Sequence, residues 1–434
     1  MQQKEKQGDV MWLKSVANKL LRKPVGTDAL LEGATFDEFI NPNEPQKDQI
    51  DTRKYKLFVS TWNVGGVLPS DDVNLEDWLD VNNKYYDIYV LGFQEIVPLN
   101  VKNVLCPERR RILASWNSLI GRTLNRSLSN LKGRKEAKAG ERQKVHPVKE
   151  GSSDEGSAPD FRCIISKRMV GVQVSVWVRH DLQHHIRHPG VSRVGCGIMG
   201  CLGNKGSVSV RFWLHETSFC FVCCHLASGG KEGDELKRNS DAMEILSRTS
   251  FPGGPPLHLP QKILDHDRVI LLGDLNYRIS LPETTTRSLV EQKRWSMLLE
   301  KDQLKAEVTD GRVFEDWQEG AIAFCPTYKY YPDSDKYYGC MPGRKGEKRR
   351  APAWCDRILW HGEGMKQKRY DRCESRLSDH RPVRAVFAVD VDVRRSWNSL
   401  GSFFSSERFH LPTEQSQLLM DDEHTSEGRT SIHI

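Results

Sequence analysis

No apolar run in this 434-residue chain approaches the roughly 18 residues that a membrane-spanning helix needs, so a helical span is excluded. The opening residues, MQQKEKQGDV, lack the apolar stretch of a secretory signal, and entry into secretion is not expected. A Met-Gln start and a final SIHI carry neither the glycine of a myristoylation signal nor the cysteine of a prenylation signal, which leaves peripheral contact as the form any membrane association takes. A Gly-rich Walker loop is missing, and with it the usual sign of ATP hydrolysis. Cysteine is present but uninformative as a framework: eleven is an odd number, and pairs such as Cys223/Cys224 and Cys196/Cys201 do not have zinc-ribbon spacing. Reduced thiols in a cytoplasmic protein are the expectation, with the nucleus open as well. Long heptads and internal repeats are also missing, so a monomer is expected and a solenoid is not. The net charge of +6 is too small to imply a polyanionic partner by itself. Local runs, Arg109 to Arg111 and Arg344 to Arg350, could face an anion or simply form a solvated surface.

What is there reads as one large domain with irregular ends. At 38% hydrophobic and 28% charged residues the chain can bury a substantial core. Residues 1–52 combine a short amphipathic helix, VMWLKSVANKLL, with a polar tether, NPNEPQKDQID. From 53 to 393, short runs rich in Val, Ile, Leu and Phe recur: KLFVSTWNV, DIYVLGFQE, VGVQVSVWVR, SVSVRFWL, SFCFVCCHL, RVILLGDLN and RPVRAVFAV. Two alternate strictly. Val170, Val172, Val174, Val176 and Val178 share one face, as do Val208, Val210, Phe212 and Leu214, with Gln173, Ser175 and Arg211 opposite, which predicts half-buried antiparallel strands. Helical spacing appears in LEDWLDVN, ASWNSLIGRTLNRSL, RNSDAMEILSR and RSLVEQKRWSMLLEKDQL. Two packed sheets with helices outside them are therefore expected. The charged stretch from about 129 to 160 has too little apolar surface to offset the entropy of ordering and is predicted to be a disordered insertion; residues 394–434 are predicted to be a flexible tail.

Several of these strands end in polar residues that are costly to bury alone: WN at Trp62-Asn63, QE at Gln94-Glu95, CHL from Cys224, GDLN from Gly273 and SDH from Ser378. Asn63, Glu95, Asp274 and Asn276 offer the hard oxygen ligands that Mg²⁺ prefers. His225 and His380 bring proton chemistry near neutral pH or donors for a charged transition state. Singly, an Asp after a strand caps a helix or makes a turn, and a lone His is usually structural. The combination is what metal-assisted phosphate cleavage requires.

GDLNYRI (Gly273 to Ile279) and PAWCDRIL (Pro352 to Leu359) resemble the two signature motifs of the inositol polyphosphate 5-phosphatases. STWNVGG, LGFQEIVPLN, GNKGSVSV, CCHLASG, PTYKY and LSDHRPV follow the order of that family, over roughly residues 55–393. The chain looks most similar to the plant type I enzymes, which often carry a variable polar insertion where this one has residues 129–160. The resemblance implies a four-layer α/β sandwich of the DNase I-like (endonuclease/exonuclease/phosphatase) type, with two mainly antiparallel sheets and outer helices. It further implies Mg²⁺ held by Glu95 and Asn63, with Asp274 orienting or deprotonating the attacking water. Asn276 would donate to the scissile phosphate. His380 would act as acid or transition-state stabiliser, oriented by Asp356. His225 would face the same phosphate, and Asp379 would support the metal and water network.

That fold is shared with nucleases, so the substrate must be argued from the cations around the site. By resemblance, Tyr328, Lys329, Lys348 and Arg350 clamp the 4-phosphate next to the scissile 5-phosphate, while Asn204 and Lys205 approach the 1-phosphate side. An arginine grips phosphate bidentately and a lysine adds a point charge. The expected substrate is an inositol phosphate or phosphoinositide, at a peripheral membrane surface if it is a lipid, and not nucleic acid. Two other readings stay open: a sequence-tolerant nuclease and an inactive phosphoinositide-binding adaptor. The extra Gly, Pro and basic residues in YYPDSDKYYGCMPGRKGEKRR depart from the family pattern and bear on the placement of Lys348 and Arg350.

Overall fold

Branched and aromatic residues suit a pleated, packed surface, and the apolar runs of this chain become strands. The computed structural model describes residues 50–394 apart from 71–72, 82–85, 98–110, 113, 127–160, 198–202, 255–258 and 341–349. The expected N-terminal helix and most of its tether, the insertion at 129–160, the tail beyond Arg394, and Lys348 lie outside the described residues. The strands are β1 (Ile50–Asn63), β2 (Ile88–Gln94), β3 (Phe161–Met169), β4 (Val172–Arg179), β5 (Ile186–Gly195) and β6 (Gly206–Leu214), followed by β7 (Thr217–His225), β8 (Arg268–Asp274), β9 (Gln318–Glu319), β10 (Asp356–His361), β11 (Met365–Arg372) and β12 (Val383–Arg394). The first strand begins at Ile50, a little before the position the apolar pattern suggests, because Ile50 pairs with Arg394 at the far end of β12.

These strands form two six-stranded sheets, ordered β11-β12-β1-β2-β4-β3 and β5-β6-β7-β8-β10-β9. Each has a single parallel pair, β1 with β2 and β7 with β8, and is otherwise antiparallel. Read from β11 in one sheet and β9 in the other, the sequence of parallel and antiparallel neighbours is the same. In each sheet the parallel pair lies in the middle with its C-terminal ends together.

The two inner faces meet in one apolar core that includes Val59, Val90, Val174 and Val176 from one sheet and Val208, Phe212, Phe221, Ile270 and Leu272 from the other. Each such side chain contributes roughly 1.5–3 kcal/mol on burial. On the outside of the first sheet, Phe58, Trp62 and Phe93 pack with Trp78 and with Trp116 and Ile120 of a helix running through 114–126. On the outside of the second, Val222 and Leu271 pack with Ala242 and Ile245 of the helix Asp234–Arg248 and with Leu304 of the helix Gln303–Thr309. This is the expected four-layer arrangement.

The outer layers correct the expectation of half-buried strands. Gln173, Ser175 and Arg211, predicted on solvent faces, are all buried, and β4 is buried on both faces along Val172–Val178. Val170 leaves the strand altogether, since its φ of 50° places it in the turn before β4. Two helical expectations also change. Residues 76–81 of LEDWLDVN make only turns, with Asp80 at φ 52°. The long helical pattern from Arg287 to Leu304 breaks into Glu283–Glu291, Trp295–Leu299 and Gln303–Thr309. Lys293, with φ 54°, stops the first of these, and Asp302 caps the last by accepting from Lys305 N.

Candidate active site

The topology brings the polar strand ends together. Asn63 ends β1, Glu95 follows β2, His225 ends β7 and Asp274 ends β8, while Asp356 opens β10 directly across from Asp274. Gly273 makes the last step of β8 possible: a Cβ there would lie 2.1 Å from the carbonyl oxygen of Cys224 on the neighbouring strand. Glu95 and Asn276 both have positive φ, 50° and 59°, so the chain turns sharply as it leaves each sheet. For a non-glycine residue that conformation costs about 1–3 kcal/mol, and it recurs where function fixes geometry.

At the centre of the site a hydrogen bond joins the two sheets. Asn63 Nδ2 donates to Asp274 Oδ2 at 3.0 Å and lies 3.3 Å from Glu95 Oε1. Asn63 Oδ1 accepts from Gly65 N, which fixes the amide's orientation. His225 Nε2 is 3.3 Å from Asp274 Oδ2 and 3.8 Å from Glu95 Oε1. Burial and the neighbouring Lys205 charge push the His225 imidazole down, so the ring is held neutral. Burial would raise the Asp274 carboxyl, but His225, His380 and Lys205 outweigh it and keep it ionised, well below the usual carboxylate range.

A second pair sits beside this one. His380 Nδ1 meets Asp356 Oδ2 at 2.8 Å, and the Thr327 hydroxyl donates to the same oxygen at 2.7 Å. Asp356 Oδ1 is buried with no hydrogen-bond partner among the described residues. Burial alone would lower the His380 imidazole, but Asp356, with help from Asp274 and Asp379, raises it to about 9. The ring is therefore an imidazolium at neutral pH. Its orientation is set from three sides: Ser378 Oγ accepts from its backbone N at 3.2 Å, Trp62 Nε1 donates to its carbonyl at 3.3 Å, and the Tyr328 ring stands 4.5 Å away. Donor atoms of Asp274, Asp356 and His380 all lie within 4.8 Å of one another.

The cations come next. Lys329 Nζ is 3.0 Å from Asp379 Oδ2. Burial opposes ionisation of Asp379, but His380 and Lys329 keep its carboxyl below the ordinary range. Arg350 fits beside Gly230, where an added Cβ would come within 3.0 Å of its Nη1. Two residues depart from expectation. Lys205, expected toward a distal phosphate, turns inward and binds His225 Nε2. Asn276, expected to donate to a phosphate, gives Nδ2 to the Leu226 carbonyl at 3.2 Å and takes a hydrogen bond from Arg278 on Oδ1 at 2.7 Å. Its backbone N donates to Asp274 Oδ1 at 3.1 Å, so it braces the acid. Asn204 lies in the same turn as Lys205, with Oδ1 buried and unpartnered among the described residues.

The endonuclease/exonuclease/phosphatase family 2 model matches residues 60–386, which takes in every one of these groups. A type IV inositol polyphosphate 5-phosphatase 9 of Arabidopsis thaliana is 53% identical over 412 residues, covering 92% of this chain and 96% of that one. The chain belongs to the inositol polyphosphate 5-phosphatase family. The type I inositol polyphosphate 5-phosphatase 8 of the same plant is 50% identical over 80% of this chain and 73% of its own length, so the likeness extends to both types. Among solved structures, the 5-phosphatase domain of SPsynaptojanin in complex with inositol (1,4)-bisphosphate and a calcium ion superposes with a TM-score of 0.63. It is 31% identical, over 80% of this chain and 87% of that one.

In this 5-phosphatase family member the donor set suits a hard divalent cation. Glu95, with 36% of its side chain exposed, and the ionised Asp274 bring carboxylate oxygens to the same centre, where the Asn63 amide nitrogen lies between them and its oxygen is taken by Gly65 N. His380 is a poorer ligand despite its closeness to two carboxylates, because Nδ1 is already committed to Asp356 and the ring is protonated. Three supporting residues were missed by sequence reasoning: Thr327, which holds Asp356; Ser378, which donates to the Asn63 carbonyl at 2.7 Å; and Arg278, stacked 4.4 Å over the Tyr328 ring. Their only signal was position inside or next to PTYKY, LSDH and GDLNYR.

Proposed function

We propose that this protein hydrolyses the 5-phosphate of inositol polyphosphates or of phosphoinositides such as phosphatidylinositol 4,5-bisphosphate, with Mg²⁺ as its cofactor. The observation that carries this reading is the pairing of an imidazolium, His380 on Asp356, with an ionised Asp274 at the seam of the two sheets, bordered by Lys329 and Arg350. Glu95 and Asp274 would hold the ion, with the Asn63 amide bridging the two carboxylates beside it. When bound, it supplies positive charge against the phosphoryl oxygens.

The chain's own residues account for the rest. The ionised Asp274 carboxylate positions the attacking water by accepting its hydrogen bond. Oxygen of that water bonds to phosphorus as the bond from phosphorus to the inositol 5-oxygen breaks, and the water's protons leave on the inorganic phosphate. His380 gives its Nε2 proton toward the leaving oxygen, and Asp356 stabilises the charge and fixes the ring. His225, neutral and buried, presents an uncharged imidazole to the same centre beside Asp274 and accepts from Lys205. Asn276 holds Asp274 in place. Lys329 and Arg350 would take the adjacent 4-phosphate, and Tyr328 packs between the clamp and His380. The protein would act as a monomer in the cytoplasm, visiting a membrane surface only where its substrate is a lipid.

The test is phosphate release, with and without Mg²⁺, from soluble inositol 1,4,5-trisphosphate and from short-chain 4,5-bisphosphate and 3,4,5-trisphosphate lipids, for wild type and His380→Ala. Mg²⁺-dependent release that His380→Ala abolishes supports the reading. Absence of release from every 4,5-phosphorylated compound sinks it, and comparable cleavage of plasmid or abasic DNA would favour a nuclease.

A further inference from the structure

Two cations border the site, Lys329 and Arg350, and one side chain ties together the backbone segments that carry them. Arg287 lies on the helix Glu283–Glu291. Its Nε donates to Glu283 Oε1 at 2.8 Å, one helical turn back, which fixes the plane of the guanidinium. Its Nη2 then donates to two carbonyl oxygens, Tyr338 at 2.7 Å and Arg350 at 2.9 Å. Tyr338 N in turn donates to the Lys329 carbonyl at 2.7 Å, and the Tyr338 ring lies 5.1 Å from Lys329 Nζ. A single guanidinium, on a side chain 16% exposed, thus holds the Arg350 backbone directly and the Lys329 backbone through one intermediate residue. No hydrogen bond or ion pair among the described residues joins it to His380, Asp356, Asp274 or Glu95. The helix has its own anchors in Thr286 and Val290, both buried, so its packing does not depend on Arg287.

We infer that Arg287 is a positioning residue for substrate recognition: it sets the separation of Lys329 and Arg350, and thereby the fit of the phosphate adjacent to the scissile one. The inference rests on the reading of those two cations as the adjacent-phosphate clamp given above. A lysine at 287 keeps the charge and the helix but lacks the planar fork that satisfies two carbonyls while bound to Glu283.

Steady-state kinetics of wild type, Arg287→Ala, Arg287→Lys and Glu283→Gln on inositol 1,4,5-trisphosphate and inositol 1,5-bisphosphate, with thermal melting alongside, test it. In Arg287→Ala the KM for the trisphosphate is expected to rise about tenfold. Its kcat and pH profile stay within about twofold of wild type, and the KM for the bisphosphate, which lacks the 4-phosphate, does not move. Arg287→Lys, which carries the test if the alanine variant does not fold, shows most of the same loss, and Glu283→Gln a smaller one. An equal change on both substrates, a fall in kcat alone, or no change overturns the inference and leaves the clamp standing. A wild-type enzyme that does not distinguish the two substrates overturns the clamp reading itself, and the inference with it.

Discussion

Replacing Asp356 with asparagine keeps the shape of a fully buried side chain and removes its charge. Its Oδ2 accepts from His380 Nδ1 at 2.8 Å and from Thr327 Oγ1 at 2.7 Å, so the change falls on the group that determines how tightly His380 holds its proton. Holding that imidazole at about 9 instead of its ordinary 6.5 amounts to roughly 3 kcal/mol in favour of the protonated ring. Burial opposes it, and Asp356 is the largest of the groups that win against burial. Without that carboxylate the ring goes neutral near or below pH 7. The catalytic consequence is a fall in kcat of about 10²–10⁴-fold, the usual range for losing an oriented, charged imidazole. A raised histidine stabilises the fold fully below its unfolded value of 6.5, and that contribution disappears as pH climbs through about 9. Two assays read the change: kcat/KM for soluble inositol trisphosphate from neutral to alkaline pH at saturating Mg²⁺, and melting temperature over the same range. Wild type is expected to lose activity and some stability together near pH 9. Asp356→Asn should show its alkaline limb displaced toward neutrality and a flatter melting profile above pH 6.5. If the limb stays in place and kcat falls by less than about threefold, the assignment of His380 as the proton-bearing partner of Asp356 is wrong.

Gly273→Ala should cost about 2–4 kcal/mol in urea unfolding, since its Cβ would meet the Cys224 carbonyl at 2.1 Å; a loss below about 1 kcal/mol would show that β7 and β8 separate more easily than their register suggests. Asn63→Ala removes the donor lying between Glu95 and Asp274 and is expected to weaken Mg²⁺ binding about 10–100-fold in a calorimetric titration, with unchanged affinity counting against these residues as ligands. Excess chelator should stop phosphate release and added Mg²⁺ should restore it; turnover that persists in the chelator argues against a metal cofactor. Lys329→Ala is expected to raise KM for 4,5-phosphorylated substrates by about tenfold or more while leaving the His380 pH limb in place, and a shifted limb would show that Lys329 acts on the acid through Asp379 instead.

Much of the site could be read from the chain because its members stand where apolar strands stop. Asn63, Glu95, Asp274 and His225 follow runs of Val, Ile, Leu and Phe, and polar groups in such places must find partners. The partners themselves could not be read. Asn63 meets Asp274 across 211 positions of sequence, and Ser378 meets the Asn63 carbonyl across 315, distances over which no local pattern operates. Thr327 and Arg278 lie beside obvious motif residues but act through contacts that only the fold creates. Lys205, expected toward a distal phosphate, turns in against His225, where burial pushes its ammonium down. For the fold, the alternation in β4 identified a strand and its inner face correctly. It said nothing of what covers the other face, where the helix through 114–126 sets Asn117 against Gln173 and Gly121 against the Trp177 ring.

The matching order of the two sheets makes the active centre a property of their contact. Asn63 and Glu95 belong to one layer, His225, Asp274 and Asp356 to the other, and the bond from Asn63 to Asp274 is a bolt between them at the catalytic end. Each sheet keeps its own hydrogen-bonded ladder whether or not the layers stay in register, so a loosened protein can retain nearly all of its strand content while the two halves of the centre drift apart. Heat, pressure or a methyl group too many in the valine-rich interior would therefore silence this protein well before circular dichroism recorded any loss of structure.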